Sequence, residues 1–462
     1  MSDLKRPDPR GPNKMGVMPV GKLLFSMALP MSIAMLVQAC YNVVDSIYVS
    51  RISESSVTAL SLAFPIQNLM IGFATGVGVG VNSLLSKSLG EGNRERGNQY
   101  AGNGIFMMVV SIMLFVLVGL FLVRPFYEMQ SEVRETVESG TTYAWICTVF
   151  SAGIFVEILG ERLLQATGRT FYTMITQGTG AILNIILDPI LIFGYFGLPA
   201  MGIAGAATAT VIGQWVAAGL AIYFNLKKNE DVHLKLANLL PRKEILLPML
   251  GVGIPSVIMM GIGAVMNFSI NQILQGFTET ATGVFGVYYK LQSFFCMPIF
   301  GMNNAAMSII AYNYGARKPK RITGTLKVGC CAALCVMILG TLSFELIPHV
   351  LLSAFHPSEQ FMTIGCRALR IIGVHFPVAA ICIVLGSSFP ALGNGLYSTI
   401  TSLCRQLLVL LPVAYLMSLS GNLDNVWLAF PIAEVMSLTV TVILFTRVYR
   451  KKIQPLYQDQ NG

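Results

Sequence analysis

The sequence predicts an all-α polytopic membrane protein with twelve transmembrane helices, arranged as two six-helix lobes related by an internal parallel duplication. Of its 462 residues, 54% are hydrophobic and 11% are charged, whereas soluble proteins carry about 25% charged residues. Mean hydropathy is +0.66. Apolar runs of membrane-spanning length recur along the chain, and its two halves resemble each other at a constant offset. These observations together favour a two-lobed membrane protein.

A helix needs about 20 mostly apolar residues to cross the hydrocarbon core of a bilayer, and twelve such runs are present. They cover residues 23–49, 57–86, 101–124, 140–164, 168–195, 201–226, 246–275, 281–312, 323–347, 363–388, 394–418 and 425–447. The predicted organisation is an N-terminal tail (1–21), an N-lobe (22–226, spans 1–6), a connector (227–244), a C-lobe (245–449, spans 7–12) and a C-terminal tail (450–462).

The basic residues lie mainly on one side of these spans. That side holds the N-terminal tail, Lys87, Arg94, Arg96, Arg162, Arg169, Lys227, Lys228, Lys235, Arg242, Lys243, Arg317, Lys318, Lys320, Arg321, Lys327, Arg447, Arg450, Lys451 and Lys452. The opposite loops keep Arg51, Arg124 and Arg134. By the positive-inside rule both termini are cytoplasmic. Because the charge sits in short loops between apolar runs, the net charge of +9 does not indicate nucleic-acid binding.

Enzyme classes find no support in the sequence. The 9 cysteines show no metal-ligand spacing, and we find no nucleophile triad, HExxH or Walker motif. The glycine-rich run at residues 76–80 (GVGVG) lies within span 2 without a following GK[ST], so it is not a phosphate loop. Small residues there favour close helix packing or bending.

An internal repeat emerges when the chain is shifted by 225 residues against itself. The shift pairs Pro30 with Pro255, Gln67 with Gln292, Gly76 with Gly301, Ser83 with Ser308, Gly90 with Gly315, Gly168 with Gly393 and Tyr172 with Tyr397. The matched residues fall at equivalent places in the predicted topology. Because each half has six spans, the lobes enter the membrane in the same orientation, with a substrate path between them, as in parallel-repeat transporters.

Span 5 contains the most unusual stretch, AILNIILDPILIF at residues 181–193. A carboxylate in a membrane-length apolar segment is costly, so Asp188 is a functional candidate. Asn184 lies four residues earlier and therefore on the same helix face. Pro189 cannot donate to the helix ladder, which loosens the backbone one turn earlier and suggests a bending point. The repeat replaces Asn184 and Asp188 by Val409 and Val413, so the polar pair belongs to the N-lobe alone.

Span 1 supplies a second carboxylate at a similar depth. Counted from the basic ends of their helices at about 1.5 Å per residue, Asp45 and Asp188 both lie roughly 30–35 Å along. Gln38, Tyr41, Asn42 and Asp45 form a polar stripe at helical spacing, and Thr208 or Thr210 of span 6 reaches a similar level. Burial and a neighbouring carboxylate both favour the protonated carboxyl, so the pair could take up H⁺. Together with the Asn184 oxygen and a threonine hydroxyl, the same carboxylates could instead bind Na⁺, because hard cations prefer oxygen ligands. In the structural alternative, Asp188 caps the backbone around Pro189 and Asp45 faces outer water.

Other polar residues in the spans are weaker candidates. Lys290 and Arg405 place positive charge in the C-lobe, where each could bind substrate, balance a carboxylate or reach the interface. Glu157 and Glu161 could form a gate, although a local pair between Glu161 and Arg162 is the simpler interpretation. Glu434 in span 12 receives no assignment. Met and Phe residues facing a cleft would form an adaptable apolar wall for varied ligands.

Three motifs give the chain a resemblance to a known family. Asn184-x-x-x-Asp188-Pro189, the GIAGAA run at 202–207 and Tyr41-Asn-Val-Val-Asp45, together with the six-plus-six duplication, resemble the multidrug and toxic compound extrusion (MATE) family over all twelve spans. The likeness is to its DinF-like branch and to MepA-type bacterial exporters. The resemblance implies a cation-coupling site at Asp45, Asn184, Asp188 and Thr210, with Thr208 as the competing threonine. The NorM-like branch keeps acidic residues in spans 7, 8 and 10, and this chain has none there.

We therefore expect a cation-coupled (H⁺ or Na⁺) multidrug antiporter without a cofactor, which exports amphipathic, often cationic compounds. The predicted location is the cytoplasmic (inner) membrane of a bacterium, as a monomer among membrane lipids. A flippase for a lipid-linked saccharide is the main alternative and would need a cationic central cavity. A membrane enzyme or receptor without a transport cycle is a third class, which the two-lobe duplication disfavours.

Overall fold

The computed structural model describes residues 13–355 and 358–461, and in these ranges it consists of helices joined by turns and loops, without strands. The first part of the predicted N-terminal tail and the last residue of the C-terminal tail lie outside the described residues. Within them, 10 helices are long and apolar enough to cross a membrane, and 2 further helix pairs pass the same test when each bent pair is taken together. Counting each pair as one span gives up to 12, in agreement with the sequence prediction.

The spans follow the predicted order. In the N-lobe they are span 1 Val20–Ser50, span 2 Glu54–Gly90, span 3 Arg94–Phe121, span 4 Arg134–Val149 with Ala152–Ala166, span 5 Thr170–Phe193 and span 6 Ile203–Lys228. In the C-lobe they are span 7 Lys243–Gln275, span 8 Glu279–Gly315, span 9 Pro319–Leu346, span 10 Glu359–Gly373 with Phe376–Ala391, span 11 Gly395–Ser418 and span 12 Leu423–Val448. A short helix, Val123–Gln130, precedes span 4.

Spans 4 and 10 differ from the straight runs that hydropathy suggests, since they bend by 46° and 48° at short breaks. In span 10, Pro377 stands at the start of the second segment, where its missing N–H cannot continue the preceding helix. In span 4, the Thr148 hydroxyl donates to the Ala144 carbonyl at 2.6 Å just before the break. Such side-chain bonds to the backbone bend helices.

The two lobes pack tightly towards the basic end of the bundle, which we define by the loops at 91–93, 167–169, 229–242 and 316–318. Span 2 meets span 7 there at two glycines: a Cβ at Gly76 would lie 2.5 Å from the Val257 side chain and 2.8 Å from the Gly253 carbonyl oxygen. The Ser308 hydroxyl donates to Asn82 across the lobes at 3.0 Å, and Ser83 donates to the Pro390 carbonyl at 2.5 Å. The glycine run at 76–80 thus serves close helix packing, as its composition predicts.

The described part of the N-terminal tail is packed rather than free. Met15 is fully buried, and its carbonyl accepts from Asn313 at 3.0 Å and from Arg321 at 3.0 Å. On the other lobe, the Asn13 amide donates to the Thr167 carbonyl at 3.2 Å. The segment before span 1 therefore joins both lobes at the basic end.

The connector between the lobes is also anchored. Its residue Asn238 is buried, and the Asn103 amide of span 3 donates to the Asn238 carbonyl at 3.1 Å. The Arg242 backbone N–H donates back to Asn103 at 3.0 Å. These contacts fix the connector against span 3 at the basic end.

Adding a methyl group at Gly253 tests the close approach of the lobes. In Gly253→Ala the new Cβ would lie 2.8 Å from the Gly76 carbonyl oxygen; overpacking of this kind costs about 1–3 kcal/mol, so we expect a lower melting temperature in detergent. Gly251→Ala, on the same helix, meets no atom within 4 Å and gains about 1 kcal/mol of helix propensity. It should melt at or above wild type. Equal melting temperatures for the two variants would contradict the packing described.

Candidate functional site

A cavity of about 520 Å³ lies in the N-lobe between spans 1, 2, 4, 5 and 6, and Asn304 of span 8 also contributes to its lining. Its lining is unusually polar for a membrane-embedded space. The polar residues are Gln38, Tyr41, Asn42, Asp45, Gln67, Asn68, Thr75, Tyr143, Glu157, Glu161, Arg162, Gln165, Thr173, Gln177, Asn184, Thr210, Gln214 and Asn304. Most of the predicted site residues therefore meet in one place.

Asp188 lies immediately behind this lining and is fully buried. With the Asn184 amide turned so that its nitrogen faces Asp188, that nitrogen donates to Oδ2 at 2.7 Å while the amide oxygen accepts from the Thr210 hydroxyl at 3.0 Å. The amide oxygen also accepts from the Thr210 backbone N–H at 2.9 Å. The opposite orientation would set the amide nitrogen against that N–H donor and the amide oxygen against the carboxyl oxygens, so the first orientation is the one that satisfies the group.

Asp45 completes the cluster from span 1. It is 7% exposed, and its Oδ1 has no hydrogen-bond partner. It lies near enough to Asp188 for the two carboxyl groups to interact electrostatically. Tyr41, one turn earlier, places its hydroxyl 3.3 Å from that of Thr210. Buried polar atoms are seldom left without a partner, so the Asp45 oxygen is open to a proton, a water molecule or a cation.

The structure distinguishes the two candidate threonines of span 6. The Thr208 hydroxyl donates to the Ala204 carbonyl of its own helix at 2.7 Å. Thr210 is buried and contacts both Asn184 and Tyr41. Of the two, Thr210 is the threonine that lies in the cluster.

Pro189 does not break span 5. The helix runs from Thr170 to Phe193 with Pro189 inside it and ends at Gly194, whose φ of 77° is left-handed. The proline still lacks the N–H that would bond one turn back. Its role as a bending point stays a prediction.

A second polar group lines the cavity towards the basic end. Glu161 is buried and accepts from the Thr176 hydroxyl at 3.0 Å. Arg162 donates to Gln165 at 3.0 Å and also interacts electrostatically with Glu161, in line with the local pair that the sequence suggests. Its side chain packs over Gly78 of span 2. Glu157 lines the same cavity.

The two C-lobe cations do not share a site. Arg405 lines a separate cavity and lies 3.4 Å from Glu434, whereas Lys290 is exposed and is not part of that lining. Sequence reasoning missed the partner, Glu434, and two N-lobe residues, Gln67 and Tyr143, which are joined by a 3.0 Å hydrogen bond. The signal for Gln67 was its match with Gln292 in the repeat, which served only to detect the duplication.

The sequence model of the MatE family matches residues 30–190 and 255–416. The chain belongs to the MATE family of multidrug efflux transporters. The two matched segments begin 225 residues apart, which is the offset of the internal repeat. Because this is a family of transporters, the chain is not an enzyme.

Characterised relatives cover nearly the whole chain. It is 24% identical to the FAD transporter of Shewanella oneidensis over 90% of this chain and 92% of the relative. It is 25% identical to the multidrug export protein MepA of Staphylococcus aureus over 90% of this chain and 91% of the relative. A solved structure of a MATE family transporter in an outward-facing conformation superposes with a TM-score of 0.90 at 24% identity, covering 96% of this chain and 98% of the other. That likeness confirms the two-lobed fold.

Removing the Thr210 hydroxyl tests the cluster without reference to transport. In Thr210→Ala the buried Asn184 amide loses a partner; such a loss costs about 1–3 kcal/mol, so the melting temperature in detergent should fall. Thr208→Ala removes only a bond to its own helix, and we expect a change within about 0.5 kcal/mol. Thr210→Ser keeps the hydroxyl and should stay near wild type. A serine variant as unstable as the alanine variant would argue against the hydrogen bond.

Proposed function

We propose that this chain is a cation-coupled multidrug antiporter, driven by H⁺ or Na⁺, that exports amphipathic and often cationic compounds by alternating access. The observation that carries the proposal is the free Asp45 oxygen beside the Asn184–Asp188–Thr210 cluster in the N-lobe cavity. A buried carboxylate pair in a membrane is expensive unless a cation visits it. The family membership supplies the transport cycle in which such a visit has a use.

The Asn184 amide gives the coupling a local mechanism. Its nitrogen donates to the Asp188 carboxyl, while its oxygen accepts from the Thr210 hydroxyl and backbone N–H. Hydrogen bonds to an ionised acceptor are stronger than hydrogen bonds to a neutral one, so a proton on Asp188 would weaken the bond from Asn184. A Na⁺ ion would compete for the same carboxylate oxygens, because hard cations take oxygen ligands. Either ion would therefore loosen the contact between Asn184 and Asp188.

This local change is useful only if it biases a larger two-state element. Spans 1 and 5 carry the two carboxylates, and span 5 has Pro189 directly after Asp188. Neutralising the pair removes their mutual repulsion and lets either span bend and repack. The polar and apolar residues of the cavity wall hold the substrate. It is then released on the side of the membrane opposite to the one from which it entered.

We infer the direction from the positive-inside rule, which places the basic end and both termini in the cytoplasm. The contacts that close the basic end, from Gly76 with Gly253 to Met15 with Asn313, then describe a state shut to the cytoplasm. In that state, H⁺ or Na⁺ from the external side would reach Asp45. The proposed location is the inner membrane of a bacterium. The protein is proposed to work as a monomer surrounded by lipid.

A flippase for a lipid-linked saccharide remains the alternative from a different class. It would call for several cations in one central space. Lys290 and Arg405 do not line the same cavity, and Arg405 is paired with Glu434, which favours the antiporter. Transport of a lipid-linked precursor in vesicles without drug efflux would favour the flippase.

Proteoliposomes with a fluorescent cationic dye test the coupling. With ΔpH and ΔNa⁺ imposed separately, one gradient should drive dye efflux, and Asp188→Asn and Asp45→Asn should each reduce it at least tenfold, because a neutral amide cannot exchange a proton or bind Na⁺ as a carboxylate does. Both variants should still insert and purify as a single species.

Asp424→Asn is the matched control, since Asp424 pairs with Arg367 at 3.2 Å on the exposed surface. It should transport within about twofold of wild type, in line with the small energies of surface ion pairs. Normal efflux by both cavity variants would rule out the proposed coupling site.

A further inference from the structure

Two cations lie close together at the basic end of the N-lobe, in a place that the proposed coupling mechanism does not use. Lys14 belongs to the segment before span 1, and Arg169 directly precedes span 5. The Lys14 side chain lies along the loop at 167–169, since a Cβ at Gly168 would be 3.1 Å from its Cε atom. Burial and the nearby Arg169 charge both lower the pKa of Lys14. Both residues are partly exposed, so a ligand can reach them.

This pair of like charges has no carboxylate partner within the described part of the chain. The neighbouring acidic residue is Asp231, and both of its oxygens are engaged. Its Oδ2 accepts from the amide of Asn13 at 3.1 Å, and its Oδ1 lies 3.3 Å from a guanidinium nitrogen of Arg94. Charges that are partly buried are normally paired. The missing partner of Lys14 and Arg169 is therefore an anion from outside the chain.

The helix that follows adds positive charge of its own. Span 5 has Arg169 at its N-cap position, without a side-chain capping bond and without an acidic residue in its first turn. The N-terminus of a helix carries partial positive charge and favours an anion. The Thr170 hydroxyl, in the same turn, is buried and has no partner among the described residues, so the turn is short of a hydrogen-bond acceptor. The repeat pairs Arg169 with Asn394, a residue type preferred at N-caps, and the cation is thus specific to the N-lobe.

The surroundings of the pair match the headgroup level of a bilayer. Phe171, the second residue of span 5, is 56% exposed. Tyr172 packs against Phe224 of span 6 with ring centroids 4.7 Å apart. Aromatic residues concentrate at the membrane–water interface, and basic pockets at the cytoplasmic ends of transmembrane helices bind the headgroups of anionic lipids. These neighbours favour a lipid over a dissolved anion.

We propose that Lys14, Arg169 and the N-terminus of span 5 form a binding site for the phosphate group of an anionic phospholipid in the cytoplasmic leaflet. The Arg169 guanidinium donates to two phosphate oxygens, and Lys14 adds a point charge from the segment before span 1. That segment already binds the C-lobe through Asn313 and Arg321, so a bound lipid stabilises the packed form of the basic end. The choice of leaflet rests on the orientation inferred above, whereas the binding is independent of the proposed ion coupling.

The melting temperature in detergent measures this binding, because a ligand that binds only the folded protein stabilises it. The purified full-length protein is titrated with phosphatidylglycerol or with phosphatidylcholine of the same acyl chains. Phosphatidylglycerol should raise the melting temperature at least about 2 °C above the value in phosphatidylcholine. In Arg169→Gln and in Lys14→Gln, the concentration that gives half of this shift should rise at least about tenfold, which is the usual contribution of a hydrogen bond to a charged group.

Lys320→Gln is the matched control, because Lys320 is an exposed cation at the same end of the molecule, at the start of span 9. It should leave the half-maximal concentration within about twofold of wild type. An equal loss in Lys320→Gln would reduce the effect to a general attraction between a basic surface and acidic lipid. An unchanged response in Arg169→Gln and Lys14→Gln would place the lipid elsewhere. Either result overturns the proposal.

Inorganic phosphate at constant ionic strength separates a lipid site from a site for free anions. It should give a smaller shift than phosphatidylglycerol; a full shift with phosphate and none with phosphatidylglycerol would overturn the lipid assignment. If Arg169→Gln does not purify as a single species, Lys14→Gln decides the matter, because Lys14 precedes the spans and its side chain makes no hydrogen bond among the described residues. Because the assay uses no ion gradient, a failure of the proposed coupling at Asp45 and Asp188 would not alter its outcome.

Discussion

The amide of Asn184 is the interaction on which the N-lobe depends. Asp188 is fully buried in a helix that crosses the membrane, and a carboxylate there needs a donor on its own element or on a neighbour. Asn184 provides one from the turn before it, while Thr210 of span 6 fixes the other end of the same amide. Spans 5 and 6 are thereby tied through one side chain, whose hydrogen bond to Asp188 depends on the charge of that carboxyl group.

Close backbone packing at the lobe interface would pass a change of charge at Asp188 on to the other lobe. Gly76 and Gly253 bring spans 2 and 7 into direct contact, and the segment around Met15 fastens both lobes at the basic end. An interface built on backbone contacts tolerates little gradual sliding, because even a methyl group does not fit. Packed interfaces of this kind adopt discrete arrangements rather than a continuum, which is what alternating access requires.

Much of this architecture could be predicted from the sequence because its causes are local. The cost of polar groups in lipid sets the spans, the basic loops set their orientation, and a constant offset reveals the duplication. The same reasoning brought Asp45 and Asp188 to one depth. The choice of Thr210 over Thr208 was out of reach, since it depends on the rotation of span 6 against span 5. The breaks in spans 4 and 10 escaped hydropathy because their residues remain apolar on both sides.

The pairing of Arg405 with Glu434 was unpredictable for a similar reason: each looked like an isolated charge until packing turned spans 11 and 12 towards each other. The pairing also explains how two lobes of one duplicated design can differ in function. In the N-lobe the carboxyl groups of Asp45 and Asp188 lie near enough to interact, so under the proposed mechanism uptake of H⁺ or Na⁺ would change the local charge. In the C-lobe the Arg405 guanidinium balances the Glu434 carboxylate. A single ion switch in the N-lobe would then be enough to move both lobes, because they share the packed interface at the basic end.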